Sequence, residues 1–151
     1  MIDLSLIWIL IIGLGVLIYV VLDGFDLGIG ILFPFISDRQ ERDVMMNTVA
    51  PVWDGNETWM VLGGAGLFAA FPLVYSTVLS ALYIPIILML IALIFRGVAF
   101  EFRFKANKTK HLWDQAFIFG SILSSFFQGL ILGAYIQGIK TTNGIYTGGG
   151  L

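Results

Sequence analysis

The stretch TVAPVWDGNETWMVLGGAGLFAAFP (Thr48 to Pro72) decides how this chain is read. Its second half opens an uncharged run that continues past Pro72: from Trp59 to Phe95 there are 37 residues without Asp, Glu, Lys or Arg. About 20 apolar residues carry a helix across a bilayer core of about 30 Å. The run therefore reads as two helices, with the turn at Pro72, because proline ends or kinks a helix at the preceding residue. At the mouth of this hairpin stand Trp53, Asp54, Glu57 and Trp59. In a soluble protein they would be an ordinary helix start. At the edge of a membrane their carboxyl groups are costly, and such groups usually line a water-filled path or a partner's surface.

Composition points the same way. The chain has 151 residues, 58% hydrophobic and 12% charged, and a mean hydropathy of +0.94. Soluble domains carry about 25% charged residues, so lipid is the natural solvent. A net charge of -2 suggests no nucleic-acid partner. The absence of Cys excludes disulfides and thiolate-held zinc, copper or iron–sulfur centres. A single histidine, His111, is too little for a self-contained haem or zinc site. No metal site and no complete catalytic centre are expected in this chain, and any redox group should be organic or held by a partner. The N-terminal run Leu4–Leu22 is uncharged and 19 residues long, lacks a basic start and has no small-residue cleavage motif after it. It reads as a retained membrane helix.

These features predict an all-α membrane protein, a single domain over 1–151 with four transmembrane helices at about 4–36, 52–72, 76–100 and 113–139. SDRQERD (Ser37 to Asp43) reads as a polar loop after the first helix. Arg39 and Arg42 lie there, and Arg103, Lys105, Lys108 and Lys110 follow the third helix, whereas the intervening turn has no basic residue. The positive-inside rule then puts both basic loops in the cytoplasm and the N-terminus outside. Gly129 and Gly133 form a G-x-x-x-G pair, which suits close helix contact but is equally compatible with no partner. The tail TTNGIYTGGGL (Thr141 to Leu151) reads as a loop, and we expect the chain to be truncated there relative to the intact protein.

Two acid pairs carry the chemistry. Asp23 and Asp26 are three apart and share a helix face, and Asp54 and Glu57 repeat that spacing. Carboxyl groups at membrane depth can pick up and pass on protons. The plain alternative is that Asp54 and Glu57 only meet the positive end of a helix, with Asp23 lying at the interface. Trp53 and Trp59 are ordinary interfacial anchors, or platforms for a quinone ring. Arg96 and Glu101, five apart, suggest a structural charge pair, though Arg96 could instead snorkel to the headgroups.

Four segments, YVVLDGFDLGIGIL, APVWDGNETWMVLGGAGLFAAFP, FRGVAFEFR and FIFGSILSSFFQGLILG, resemble subunit II of the cytochrome bd-type quinol oxidases, in order and over nearly the whole chain. The resemblance implies the first half of an eight-helix subunit of the bacterial inner membrane. It also implies a haem-bearing subunit I as partner, with quinol oxidation coupled to reduction of dioxygen to water. This subunit would bind no haem itself. It would support its partner, hold a structural quinone near Trp53, Asp23 and Asp26, and contribute acids to a cytoplasmic proton path. Asp54 matches the family's acid on that path, with Asp23, Asp26 and Glu57 as further proton-transfer candidates. Val52 stands where some relatives have histidine, so no imidazole serves here. The competing reading is half of a proton-coupled membrane transporter, whose acids would sit near the midplane.

Overall fold

The computed structural model describes residues 3–106, 108–142 and 145–147. Five helices dominate it: α1 (Leu4–Leu32), α2 (Arg39–Val49), α3 (Trp53–Ala70), α4 (Pro72–Arg103) and α5 (Lys110–Gln137). A short 3-10 turn, Phe33–Phe35, extends α1.

Among the described residues three helical stretches, not the expected four, are long and apolar enough to cross a membrane: Leu4–Phe35, Pro72–Arg103 and Lys110–Gln137. The exception is α3. Its first two turns hold Asp54, Asn56 and Glu57, which leaves Met60 to Ala70 as its apolar part. Eleven residues rise about 16 Å, roughly half a bilayer core. The acids that drew attention to this segment are also what shorten it. α3 nevertheless returns the chain along α1, and small residues let the two backbones approach. A Cβ at Gly63 would lie 3.1 Å from Val16, and one at Gly66 would lie 3.1 Å from Ile12.

The segment read as a polar loop is helical from Arg39. Asp38 caps α2, its carboxylate accepting from the amides of Gln40 (2.7 Å) and Glu41 (3.0 Å), which satisfies donors a helix start leaves open. α3 and α4 are separated only by Phe71, and Pro72 starts α4, where a missing N–H does no harm. Inside α4, Pro85 removes a donor, and the backbone departs from helical geometry at Leu82 (φ -120°, ψ 21°). Past α5, the described part of the tail pairs as two short antiparallel strands, β1 (Thr141–Thr142) and β2 (Ile145–Tyr146), instead of lying as open loop; residues 148–151 lie outside the described residues.

The larger of two buried apolar clusters lies at the end where α2, α4 and α5 meet the 3-10 turn after α1. Phe33, Met46, Val49, Phe100 and Phe117 form its core. The Phe117 ring meets both Phe33 and Phe100 edge-on at 5.2 Å. Arg42, Arg103 and Lys110 gather at this same end, bonded to Asp43 and Asp114.

Candidate functional site

One guanidinium and three carboxyl groups meet inside the bundle. Arg96 of α4 is wholly buried. Its Nη2 donates to Asp23 Oδ1 on α1 at 2.6 Å and to Glu57 Oε2 on α3 at 2.9 Å. Asp26, three residues further along α1, is also wholly buried and accepts from Asn56 Nδ2 at 2.9 Å. Glu57 keeps 21% of its side chain exposed and so links the buried groups to the surface.

The helices can come this close because side chains are missing where it matters. A Cβ at Gly120 of α5 would sit 2.7 Å from the Ala92 carbonyl and 2.9 Å from the Arg96 nitrogen. α5 thus lies directly on the backbone of α4 at the level of the cluster. It brings the buried Ser121 and Ser124, and Gln128, whose amide donates to the Tyr19 hydroxyl at 2.7 Å. Tyr19 is one turn from Asp23 on α1, on the same face.

The charge count sets the chemistry. One cation faces three carboxyl groups, and full ionisation would bury negative charge without compensation, at a cost of several kcal/mol per ion, to order of magnitude. The cluster therefore has room to hold protons. Several of its buried polar atoms have no protein partner among the described residues: Asp23 Oδ2, Asp26 Oδ1, Arg96 Nε and Nη1, and the Ser121 and Ser124 hydroxyls. Buried atoms of this kind generally bond to ordered water.

The acids singled out in the sequence fall in two places. Asp23, Asp26 and Glu57 come together in the cluster. Asp54 does not join it: it is exposed in the first turn of α3, three residues before Glu57, and no side-chain cap bond closes that helix. Trp53 stacks on Phe100 (5.3 Å, 24°) with its indole edge against Gly97. It lines a cleft of about 350 Å³ with Glu57, Leu93, Glu101 and Phe102. Arg96 and Glu101 are not paired. Arg96 bonds to residues 73 and 39 positions away in the chain, whereas Glu101 is exposed and lies 3.4 Å from Lys105. At Gly129 and Gly133 a Cβ would meet nothing within 4 Å, so among the described residues no other helix packs closely on this G-x-x-x-G pair. Among the described residues, no three His, Cys, Asp or Glu side chains are placed to hold a metal ion. Sequence reasoning missed Asn56, Tyr19 and Gln128. Gln128, a polar side chain in the middle of an apolar helix, was the available signal.

The matches to known proteins fit this architecture. The family model for cytochrome bd terminal oxidase subunit II matches residues 4–151. The chain belongs to this family. It is 39% identical over 139 residues to the cytochrome bd-I ubiquinol oxidase subunit 2 of Escherichia coli strain K12, covering 90% of this chain and 37% of that protein. It is also 39% identical over 135 residues to the cytochrome bd ubiquinol oxidase subunit 2 of Bacillus subtilis strain 168, covering 87% of this chain and 40% of that protein. A probable cytochrome oxidase subunit 2 of Haemophilus influenzae is 37% identical over 149 residues, covering 93% and 39%. The chain spans about two fifths of the length of these curated relatives. With three apolar helices of crossing length, this subunit II chain is a multi-pass protein of the bacterial inner membrane. The match gives no support to the transporter reading.

Proposed function

We propose that this chain is part of the non-haem subunit of a bacterial bd-type terminal oxidase, supporting a haem-bearing partner subunit while the complex oxidises quinol and reduces dioxygen to water. No catalytic centre is assigned to this chain; the haems belong to the partner. Within the complex, the buried cluster passes protons taken up at the end rich in Arg and Lys, the cytoplasmic side by the positive-inside rule. Asp54 is the surface acid, Glu57 the half-buried step, and Asp23 and Asp26 the interior groups. The observation that carries this reading is Arg96 held between Asp23 and Glu57, with buried polar atoms on Asp23, Asp26 and Arg96 left without a protein partner among the described residues. Trp53 is the residue best placed to touch a structural quinone, because it lines a cleft, whereas Asp23 and Asp26 have no exposed surface.

The test is quinol-driven oxygen consumption by the intact complex in proteoliposomes. Asp54→Asn removes the titratable proton at constant volume and is expected to lower turnover on the order of tenfold. That is less than the usual loss of a direct acid–base group, since water can bypass a surface site. Asp54→Glu keeps a carboxyl and should retain more activity. If Asp54 serves only the dipole of α3, the Asn variant loses a fraction of a kcal/mol in stability and turns over normally, which ends the relay. In the same preparations Trp53→Ala should release quinone with haem content intact; unchanged quinone would return Trp53 to an anchor.

A further inference from the structure

We infer that the end of the bundle carries a binding pocket for a phosphate-bearing headgroup, that of an anionic phospholipid. The pocket holds about 240 Å³ and is lined by Ser37, Arg39 and Arg42, by Arg103, Lys108 and Lys110, and by His111 and Asp114. Five formal cations face one carboxylate on its walls. Asp43, behind them, accepts from Arg103 Nη1 at 2.6 Å and from Lys110 Nζ at 3.0 Å. Counting both acids, the cations still lead by three.

Several features make this a built site and not a loose group of surface lysines. Arg103 is buried to 1% exposure, with Nε donating to Asp114. Arg42 Nη1 lies 3.4 Å from the same carboxylate, and its Nε donates to the Ile36 carbonyl at 2.6 Å. Both guanidiniums pack on Phe33, at 5.2 and 5.5 Å from the ring centroid. Two like charges are thus fixed against one ring. Arg39 and Lys108 have no ion-pair partner among the described residues, and the acid next to Arg39, Asp38, is engaged by the amides that open α2. The walls include the first turn of α5, which no side chain caps, so the positive end of that helix adds to the field.

Position selects the ligand. The three membrane-crossing stretches end or begin at Phe35, Arg103 and Lys110, so the pocket opens at headgroup depth. Basic pockets between membrane helices on the cytoplasmic side are suited to anionic headgroups. A phosphodiester brings one negative charge and several acceptors, matching the unpaired cations, while its acyl chains stay in the lipid.

The probe is phosphatidylglycerol, with phosphatidylcholine as zwitterionic control and inorganic phosphate as soluble competitor, on the intact complex by native mass spectrometry. The readout is retained lipid in the wild type and in an Arg39→Gln/Lys108→Gln double variant, which leaves the buried ion pairs in place. Each removed charge should weaken retention roughly fivefold. Selective retention of phosphatidylglycerol that falls about 25-fold in the double variant is the expected result. Inorganic phosphate bound with the same dependence on Arg39 and Lys108, without preference for the anionic lipid, would overturn the lipid assignment. Equal lipid retention by wild type and variant would overturn the pocket altogether.

Discussion

Two buried arginines lie seven residues, about two helical turns, apart on α4, and their surroundings are opposite. Arg96 and Arg103 are 0% and 1% exposed. Around Arg96, three carboxyl groups share one cation, and Nε and Nη1 have no protein partner. Around Arg103, two carboxylates serve Arg42, Arg103 and Lys110, and no Arg103 nitrogen appears among the unpaired buried atoms. A guanidinium therefore does not have one meaning in a membrane protein. Outnumbered by acids in the bundle interior, it leaves carboxyl groups without a full countercharge, which is what the proposed proton route needs. Outnumbering them at the bundle end, it joins α2, α4 and α5 and offers spare charge to an anion.

The sharpest way to break this comparison is to remove the guanidinium at the satisfied end. Arg103→Met leaves Asp114, 10% exposed, with only Arg42 at 3.4 Å, and Asp43 with Lys110 alone. Removing one partner of a buried ion pair costs about 3–5 kcal/mol. Thermal melts of the detergent-solubilised complex should show a loss of that order. A melt close to wild type would mean that the end cluster is not what holds these helices together.

A smaller effect sharpens the interior side. Gly120→Ala drives a methyl group against the Ala92 carbonyl and the Arg96 backbone, at 2.7 and 2.9 Å, where no flexible side chain can yield. Overpacking of this kind costs about 1–3 kcal/mol. Because α5 would be pushed off the level of the cluster, turnover should fall along with the melting temperature. Loss of stability with full turnover would show that the cluster works without the close approach of α5.

The smallest expected effect is a pH dependence at the end cluster. Burial pulls the Asp43 carboxyl up, but hydrogen bonds and charge from Lys110 and Arg103 outweigh it and hold the group below its ordinary value of 3.8. Asp43 therefore contributes stability that is present above the ordinary value and lost as pH falls through the folded one. With 38% of the side chain exposed, screening limits the contribution to under about 1 kcal/mol. Asp43→Asn should lower the melting temperature slightly at neutral pH and not at all once wild-type Asp43 is protonated. A gap that persists or widens in acid would assign the loss to packing.

Much of this protein was legible in its sequence because lipid imposes simple demands. Long uncharged runs made an all-α membrane chain the expectation, and the WDGNETW segment pointed to the family. The helix in SDRQERD was legible too, in the Asp38 and Glu41 spacing of a helix start, but its polarity made it look like loop. Hydropathy also treated Trp59 to Phe95 as two crossings, although the acids before it leave α3 too short in apolar length. What no local reading could supply was pairing. Asp23 and Arg96 are 73 residues apart in the chain, and Asp43 and Arg103 are 60 apart. The sequence alone determined that buried charges existed and needed partners, because an isolated charge in lipid is costly wherever it lies. Only the tertiary structure decided which partners they took, because that depends on the rotation of each helix and on gaps such as Gly120, which no periodicity along one chain encodes.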